Sequence, residues 1–272
     1  MMQHDLRTQY ENDGYYFPLP AIEPTQAEAI AADLTRLETV HGTDVWKRTK
    51  MKPHLLIKSI NDLMRTPKIL DAVEAVLGPD ILVWGVGIFM KPAHDPRFFA
   101  WHQDSTYWGL SEPAVTTAWV ALTPSTEQNG CVRVVPGSHL HEQIPHRETS
   151  GTENFLSRGQ EIAVDVNEDE AVDMVLEPGE MSLHHVMTVH GSKANTSDIP
   201  RIGIGIRYIA VRVAHAPGFE DSATLVRGYD SHGHYLLEPQ PQTDFDPKCV
   251  EFYDRIVAES KKRADSQAAT AR

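Results

Sequence analysis

Beyond Gly78-Pro79 the chain breaks into short apolar runs, each closed by turn residues, and this constrains its fold more than any other feature. ILVWGVGIFMK (81–91), AVTTAWVALT (114–123), CVRVV (131–135), EIAVDV (161–166), MSLHHVMTVHG (181–191) and RIGIGIRYIAVRV (201–213) are rich in β-branched residues. With turn signals at Gln128-Asn129-Gly130, Pro136-Gly137-Ser138 and Pro178-Gly179-Glu180, they read as strands. The glycines of the first run suggest bends. Two helical patterns come earlier. In EPTQAEAIAADLTRLETV (23–40), Ala27, Ile30, Ala31, Leu34 and Leu37 fall on one stripe, and Thr25 with Glu28 fits a capping box. TPKILDAVEAVL (66–77) has Thr66 to cap it, Pro67 in its first turn and Gly78 to stop it. Helices followed by many short strands predict helices flanking a β-sandwich or jelly roll.

No repeat or linker divides the 272 residues, so one domain is expected over 1–272: a helical part to about 78, a β core over about 80–215 and an extension over 216–272. Residues 140–160 are polar and aperiodic, a long loop of the kind that forms lids or binding segments. The terminal SKKRADSQAATAR predicts no more than a short helix with frayed ends. A net charge of −13 opposes nucleic acid and anionic membranes as partners. The longest apolar run, Ile81 to Met90, is too short to span a bilayer. Cys131 and Cys249 cannot build a disulfide framework or a CxxC metal site, and no apolar signal segment opens MMQHDLRTQYENDGYYF, so a cytoplasmic protein with reduced thiols is expected. Oligomeric state is left open.

WHQDSTYW (101–108) sets His102 and Asp104 two residues apart, so in an extended segment both project to one face. An imidazole beside a carboxylate suits a divalent first-row metal, and His190, at the end of an apolar strand before Gly191, is the best third ligand. Two histidines and a carboxylate leave metal positions open, as in non-haem Fe(II) oxygenases, though zinc accepts the same donors. Arg201, eleven residues after His190, opens the next strand and in a hairpin lies near His190; its guanidinium fork suits one end of a dicarboxylate chelated at the other.

HxD, HGS, an arginine eleven residues beyond that histidine, and NGCVRVVPGSH between them together resemble the phytanoyl-CoA dioxygenase family of Fe(II)/2-oxoglutarate enzymes, over roughly residues 10 to 245. The resemblance implies a double-stranded β-helix (jelly-roll, cupin-like) fold, with Fe(II), 2-oxoglutarate and O2 as cofactor and cosubstrates. Carried over by position, it makes His102, Asp104 and His190 the iron ligands and Arg201 the partner of the distal carboxylate of 2-oxoglutarate. Ser192 and Trp119 match further cosubstrate contacts. Relatives that halogenate lack the aspartate, so Asp104 implies hydroxylation or a related C–H oxidation. A small-molecule substrate is expected, since no broad basic surface for a CoA moiety is evident, although the family name keeps an acyl-CoA as an alternative. A zinc hydrolase and a non-catalytic jelly-roll binding module are rival readings.

The remaining candidates are weaker. His184 shares a face with His190 by alternation and could be a rival ligand, but it would lie about 20 Å away along a straight strand, so it and His185 are expected to be structural or to stand behind the metal's ligands. His139, His141, His146, His232 and His234 read as solvated loop histidines. Arg227 could hold an anionic substrate. Lys91, Arg97, Phe98 and Phe99 are candidates for the pocket rim, and Trp101, Tyr107 and Trp108 for cavity wall or core.

Overall fold

A computed structural model describes residues 2–104, 108–148, 153–155, 160–162, 166–215 and 220–270. Its elements are α1 (Met2–Asp13), β1 (Tyr15–Pro20), α2 (Pro24–His41), α3 (Asp44–Arg48), α4 (Lys58–Leu63), α5 (Pro67–Leu77), β2 (Ile81–Lys91), β3 (Phe99–His102), β4 (Val115–Ala121), β5 (Val132–Val134), β6 (His146–Glu148), β7 (Gln160–Ile162), β8 (Val172–Met174), β9 (Glu180–His185), β10 (His190–Ser192), β11 (Arg201–Ala210), β12 (Ser222–Arg227), β13 (Leu236–Leu237) and α6 (Pro247–Thr270). A seven-stranded major sheet runs β1-β9-β4-β11-β2-β12-β13, and a four-stranded minor sheet runs β3-β10-β5-β8. From β2 to β5 and again from β8 to β11 the chain alternates between the two sheets, and all their pairings with one another are antiparallel. That winding is the mainly β, double-stranded β-helix expected, with helices flanking it.

Side-chain alternation along the major-sheet strands builds two cores. On β11, Ile204, Ile206 and Tyr208 face the helices, where they join Leu34 and Leu37 of α2 and Ile69 and Val73 of α5. Each such aliphatic side chain contributes about 1.5–3 kcal/mol by leaving water. On β4, Ala118 and Val120 join that outer core, whereas Trp119 and Ala121 point inward to meet Val132 and Val134 of the minor sheet. The space between the sheets therefore opens beside β4 and β11.

Several local expectations are corrected. The capping box of α2 uses Glu23 and Gln26 rather than Thr25 and Glu28, because Pro24 takes the first helical position. Thr66 makes no side-chain cap on α5. The chain end forms the 24-residue α6, and Cys249, Tyr253 and Ile256 are buried along it, so packing rather than local polarity decides its length. The polar stretch 140–160 contributes β6 and the start of β7, which pair as a ribbon; much of the rest of it, and residues 163–165 of EIAVDV, lie outside the described residues. Of the β2 glycines, Gly85 flanks a register shift in the pairing with β11, whereas Gly87 stays in register opposite Gly205. Gly203 and Gly205 of β11 make room: a Cβ on Gly203 would sit 2.1 Å from the Trp119 ring, and one on Gly205 2.7 Å from Phe89.

The C-terminal extension is tied down by a buried charge cluster. Glu238 accepts from Lys52 Nζ and His54 Nε2, both at 2.8 Å, and from the hydroxyls of Ser222 and Thr224. Burial alone would raise the Glu238 carboxyl, but Lys52 and His54 outweigh it and hold it far below the usual glutamate value. Glu238→Ala removes the counter-charge of buried Lys52 and the partner of His54 Nε2 and is expected to cost about 3–5 kcal/mol in denaturant-unfolding stability. Because the folded-state value is depressed, this contribution is complete above about pH 4–5 and lost as pH falls towards that value. Acid titration of the wild type against Glu238→Ala measures it.

Candidate functional site

β3 and β10 are neighbours in the minor sheet, and His190 stands directly across from His102. Their ring centroids are 4.2 Å apart. Asp104 lies two residues beyond the end of β3, its Oδ1 3.8 Å from His102 Nε2. Each of the three offers one ligand atom within 4.8 Å of the others, close enough to share a metal ion. Both histidines are fixed by the backbone two residues before them. His102 Nδ1 bonds the Ala100 carbonyl at 2.7 Å, and His190 Nδ1 bonds the Thr188 carbonyl at 2.9 Å. A carbonyl only accepts, so each Nδ1 carries the proton and each Nε2 keeps a lone pair for a metal. Burial alone would raise the Asp104 carboxyl. Arg207, whose Nε is 3.8 Å from Oδ2, then His190 and His102, outweigh it and hold the carboxyl below its ordinary value. Two imidazoles and one carboxylate, each offering a ligand atom, thus fit a divalent metal. Gln103 points away, spanning the Met187 carbonyl and the Ile144 amide, which fixes the backbone between the two candidate ligands.

The triad opens into a cavity between the sheets, lined also by Phe89, Phe99, Trp119, Val132 and Ser192 and holding about 560 Å³ with its open mouth. Arg201 lies at its other end, 1% exposed. It is not reached by a hairpin: β10 and β11 belong to different sheets, and the loop between them carries the chain across. Arg201 donates through one terminal nitrogen to the Gly130 carbonyl, and its guanidinium carbon lies 5.2 Å from the Trp119 ring, while its Nε has no partner among the described residues. Burial draws Arg201 down to about 10, so it stays charged at neutral pH. Directly across from it in the sheet is Lys91. That lysine is wholly buried rather than on the rim, and it donates to Ser192 Oγ at 2.7 Å and to the Lys193 carbonyl. Burial first, and Arg201 second, push Lys91 down to about 7.

His184 corrects the sequence reading. MSLHHVMTVHG is not one strand: β9 ends at His185, a turn over 186–189 crosses to the minor sheet, and β10 begins at His190. The turn is held by Thr188 Oγ1 to the Gly14 carbonyl and by the Val189 amide to Ser138 Oγ. His184 is therefore in the cavity wall with its ring centroid 4.7 Å from that of His190, not a strand's length away. Burial, then His190, hold it neutral far below its ordinary value. Thr117 and Arg207 also line the cavity, and nothing in the sequence singled them out.

Other candidates fall elsewhere. Arg227 pairs with Asp71 and Glu74 of α5 instead of facing the cavity. His232 and His234 are exposed and stack on each other at 5.2 Å. His185 packs against Tyr10 and His139. Arg97 is taken up by Asp95, Phe98 is exposed, and Phe99 does line the cavity. Trp101 lies beneath Arg133, Trp108 packs on Trp84, and Tyr107 lies outside the described residues.

The model of the phytanoyl-CoA dioxygenase family matches residues 10–203, well over half of the chain. The chain belongs to the phytanoyl-CoA dioxygenase family. Among solved structures, the non-haem monooxygenase ThoJ in its apo form is 38% identical with a TM-score of 0.86, over 98% of this chain and 100% of that one. Its nickel complex is 35% identical with a TM-score of 0.80, over 96% and 99%. A probable alpha-ketoglutarate-dependent hypophosphite dioxygenase of Stutzerimonas stutzeri is 34% identical over 161 residues, 58% of this chain and 55% of that protein, so the chain spans about half of that relative's length. An ectoine dioxygenase of Nocardia farcinica is 25% identical over 227 residues, 74% of this chain and 76% of that one. As a phytanoyl-CoA dioxygenase family member the chain is a non-haem iron, 2-oxoglutarate- and O2-dependent dioxygenase that acts on small molecules. Among the described residues no helix is long and apolar enough to cross a membrane.

Proposed function

We propose that the whole chain works as one dioxygenase domain that hydroxylates a C–H bond of a free small molecule, with Fe(II) held by His102, Asp104 and His190. The observation that carries this is the cross-strand pair His102–His190, each with Nδ1 bonded to a backbone carbonyl and with a ligand atom within 4.8 Å of the Asp104 carboxylate, in a cavity that Arg201 also lines. Bound there, Fe(II) supplies the activation of O2 that is coupled to conversion of 2-oxoglutarate into succinate and CO2. The chain's own residues orient and enclose. Arg201 grips the distal carboxylate of 2-oxoglutarate with its fork, while Ser192 and Trp119 shape the bed beside it. Phe89, Phe99 and Val132 exclude water. Asp104 fills the position that halogenating relatives leave for halide.

The cavity must hold cosubstrate and substrate together, which favours a compact molecule over the body of an acyl-CoA. The relatives named for ectoine and for hypophosphite are in keeping with that class. A zinc hydrolase on the same triad is disfavoured because no glutamate among the described residues lines the cavity to serve as general base. Both thiols are free and buried, in keeping with a cytoplasmic protein.

Anaerobic loading with Fe(II), followed by oxygen-uptake and succinate assays across amino acids, osmolytes and phosphonates, tests the proposal. Uptake that depends on 2-oxoglutarate and rises with one panel member is expected; hydrolysis without oxygen would refute it. Lys91 adds a pH signature. Charged below about 7 and neutral above, it strengthens the pull on the distal carboxylate only in acid, where Asp95 favours its charged form and Arg201 opposes it. The KM for 2-oxoglutarate should therefore rise as pH rises through about 7, and Lys91→Met should flatten that profile.

A further inference from the structure

We propose that Arg207, with Thr117 and His184 beside it, forms the subsite that binds an anionic group of the primary substrate. This rests on the dioxygenase reading above for the placement of metal and cosubstrate. The three residues lie in one row across the inner face of the major sheet: Arg207 pairs in register with Thr117, and Thr117 with His184. All three line the cavity. Arg207 is six residues along β11 from Arg201, a span of about 20 Å, so the two cations serve opposite ends.

Three observations point to a ligand. Arg207 Nε, Thr117 Oγ1 and His184 Nδ1 are buried and have no hydrogen-bond partner among the described residues. A buried polar atom left unpaired costs about 1–3 kcal/mol, and native proteins keep few of them, so three on one row of residues that line a cavity mark a place where an acceptor binds. Charge points the same way. The one carboxylate near Arg207 among the described residues is Asp104, at 3.8 Å, too far for a hydrogen bond. Once the dication, Asp104, the 2-oxoglutarate dianion and Arg201 are together, their formal charges cancel. Arg207 is then the uncompensated cation in a largely apolar cavity, and an anionic substrate group balances it. Finally, the fork is held in place. Its guanidinium carbon lies 5.1 Å from the Trp108 ring, and Trp108 packs at 4.9 Å on Trp84, whose Nε1 donates to Asp221. A guanidinium stacked in this way presents its terminal nitrogens pre-oriented, as recognition of a carboxylate or phosphonate requires. The Thr117 hydroxyl supplies a further donor.

The test is calorimetric titration of acetate and of methylphosphonate, a planar and a tetrahedral oxyanion, onto the full chain loaded with Ni(II) and 2-oxoglutarate. One equivalent of at least one oxyanion should bind the wild type, and the preferred geometry separates a carboxylate from a phosphonate substrate. Arg207→Gln should weaken that binding at least roughly 30-fold, the low end for removing one member of a buried charge pair, with metal and 2-oxoglutarate affinities within about twofold. Thr117→Val, close to isosteric, should weaken it several-fold and serves if Arg207→Gln fails to fold. Equal oxyanion binding by wild type and both variants, or none by the wild type, overturns the subsite. Parallel loss of metal affinity in Arg207→Gln also overturns it, because Arg207 would then act through Asp104. Failure of the wild type to bind 2-oxoglutarate counts against the dioxygenase assignment, whereas the Arg207 dependence of oxyanion binding, repeated without metal and cosubstrate, still decides the subsite.

Discussion

Replacing Asp104 by alanine should abolish hydroxylation, with kcat/KM lower by about 10³-fold or more, equivalent to about 4 kcal/mol of transition-state stabilisation. The expectation follows from the donor set. His102 and His190 each give one neutral imidazole nitrogen, and Asp104 gives the only negative charge in the triad. Without it the metal has two neutral donors and no anionic one, so both its retention and its electronic character change. Asp104→Asn keeps the size and removes the charge, and it should fall nearly as far. Succinate release measured beside anaerobic Fe(II) titration checks the result. A rate close to that of wild type would take Asp104 out of the ligand set, and loss of activity with intact Fe(II) affinity would make it a group acting beside the metal.

The second large effect is expected at Arg201. Arg201→Ala should raise the KM for 2-oxoglutarate by about 10²-fold, within the range for truncating one partner of a buried charge pair, while leaving Fe(II) affinity nearly unchanged. The guanidinium is almost wholly buried, its Nε has no partner among the described residues, and Lys91 beside it is a single amine that cannot take over the bidentate grip. Arg201→Lys should recover only part of the loss. Separate titrations of metal and cosubstrate, with melting curves to check folding, divide the roles. Equal losses of both would mean that Arg201 supports the fold of the site rather than the cosubstrate.

Much of this protein was legible in its sequence because the signals are local. β2 and β11 fall where β-branched residues crowd between turn signals, and α5 begins at Pro67 and stops at Gly78 as written. The pair His102 and Asp104 is a spacing of two, which local backbone geometry alone can bring to one face. Arg201 heads an apolar strand, and the strand places it. Trp119 was marked only by the family resemblance, since every residue of β4 is buried and alternation does not single it out.

What stayed hidden depends on which sheet each strand joins. MSLHHVMTVHG has the composition of a single strand, and only the hydrogen bonds of Thr188 and Val189 to Gly14 and Ser138, distant in sequence, break it and swing His190 across to face His102. That same crossing brings His184 to within 4.7 Å of His190. Arg207, Thr117 and His184 form a row only because β11, β4 and β9 pair in one register, and no window of sequence contains all three. The room that Gly203 and Gly205 of β11 leave was hidden as well, because the rings that fill it, Trp119 of β4 and Phe89 of β2, come from other strands. The sequence by itself determined the strands, the candidate ligands and the arginine at the cavity's end, since each rests on residue type and short spacing. The tertiary structure alone decided which residues share the cavity, because pairing and register between strands far apart in the chain set those distances.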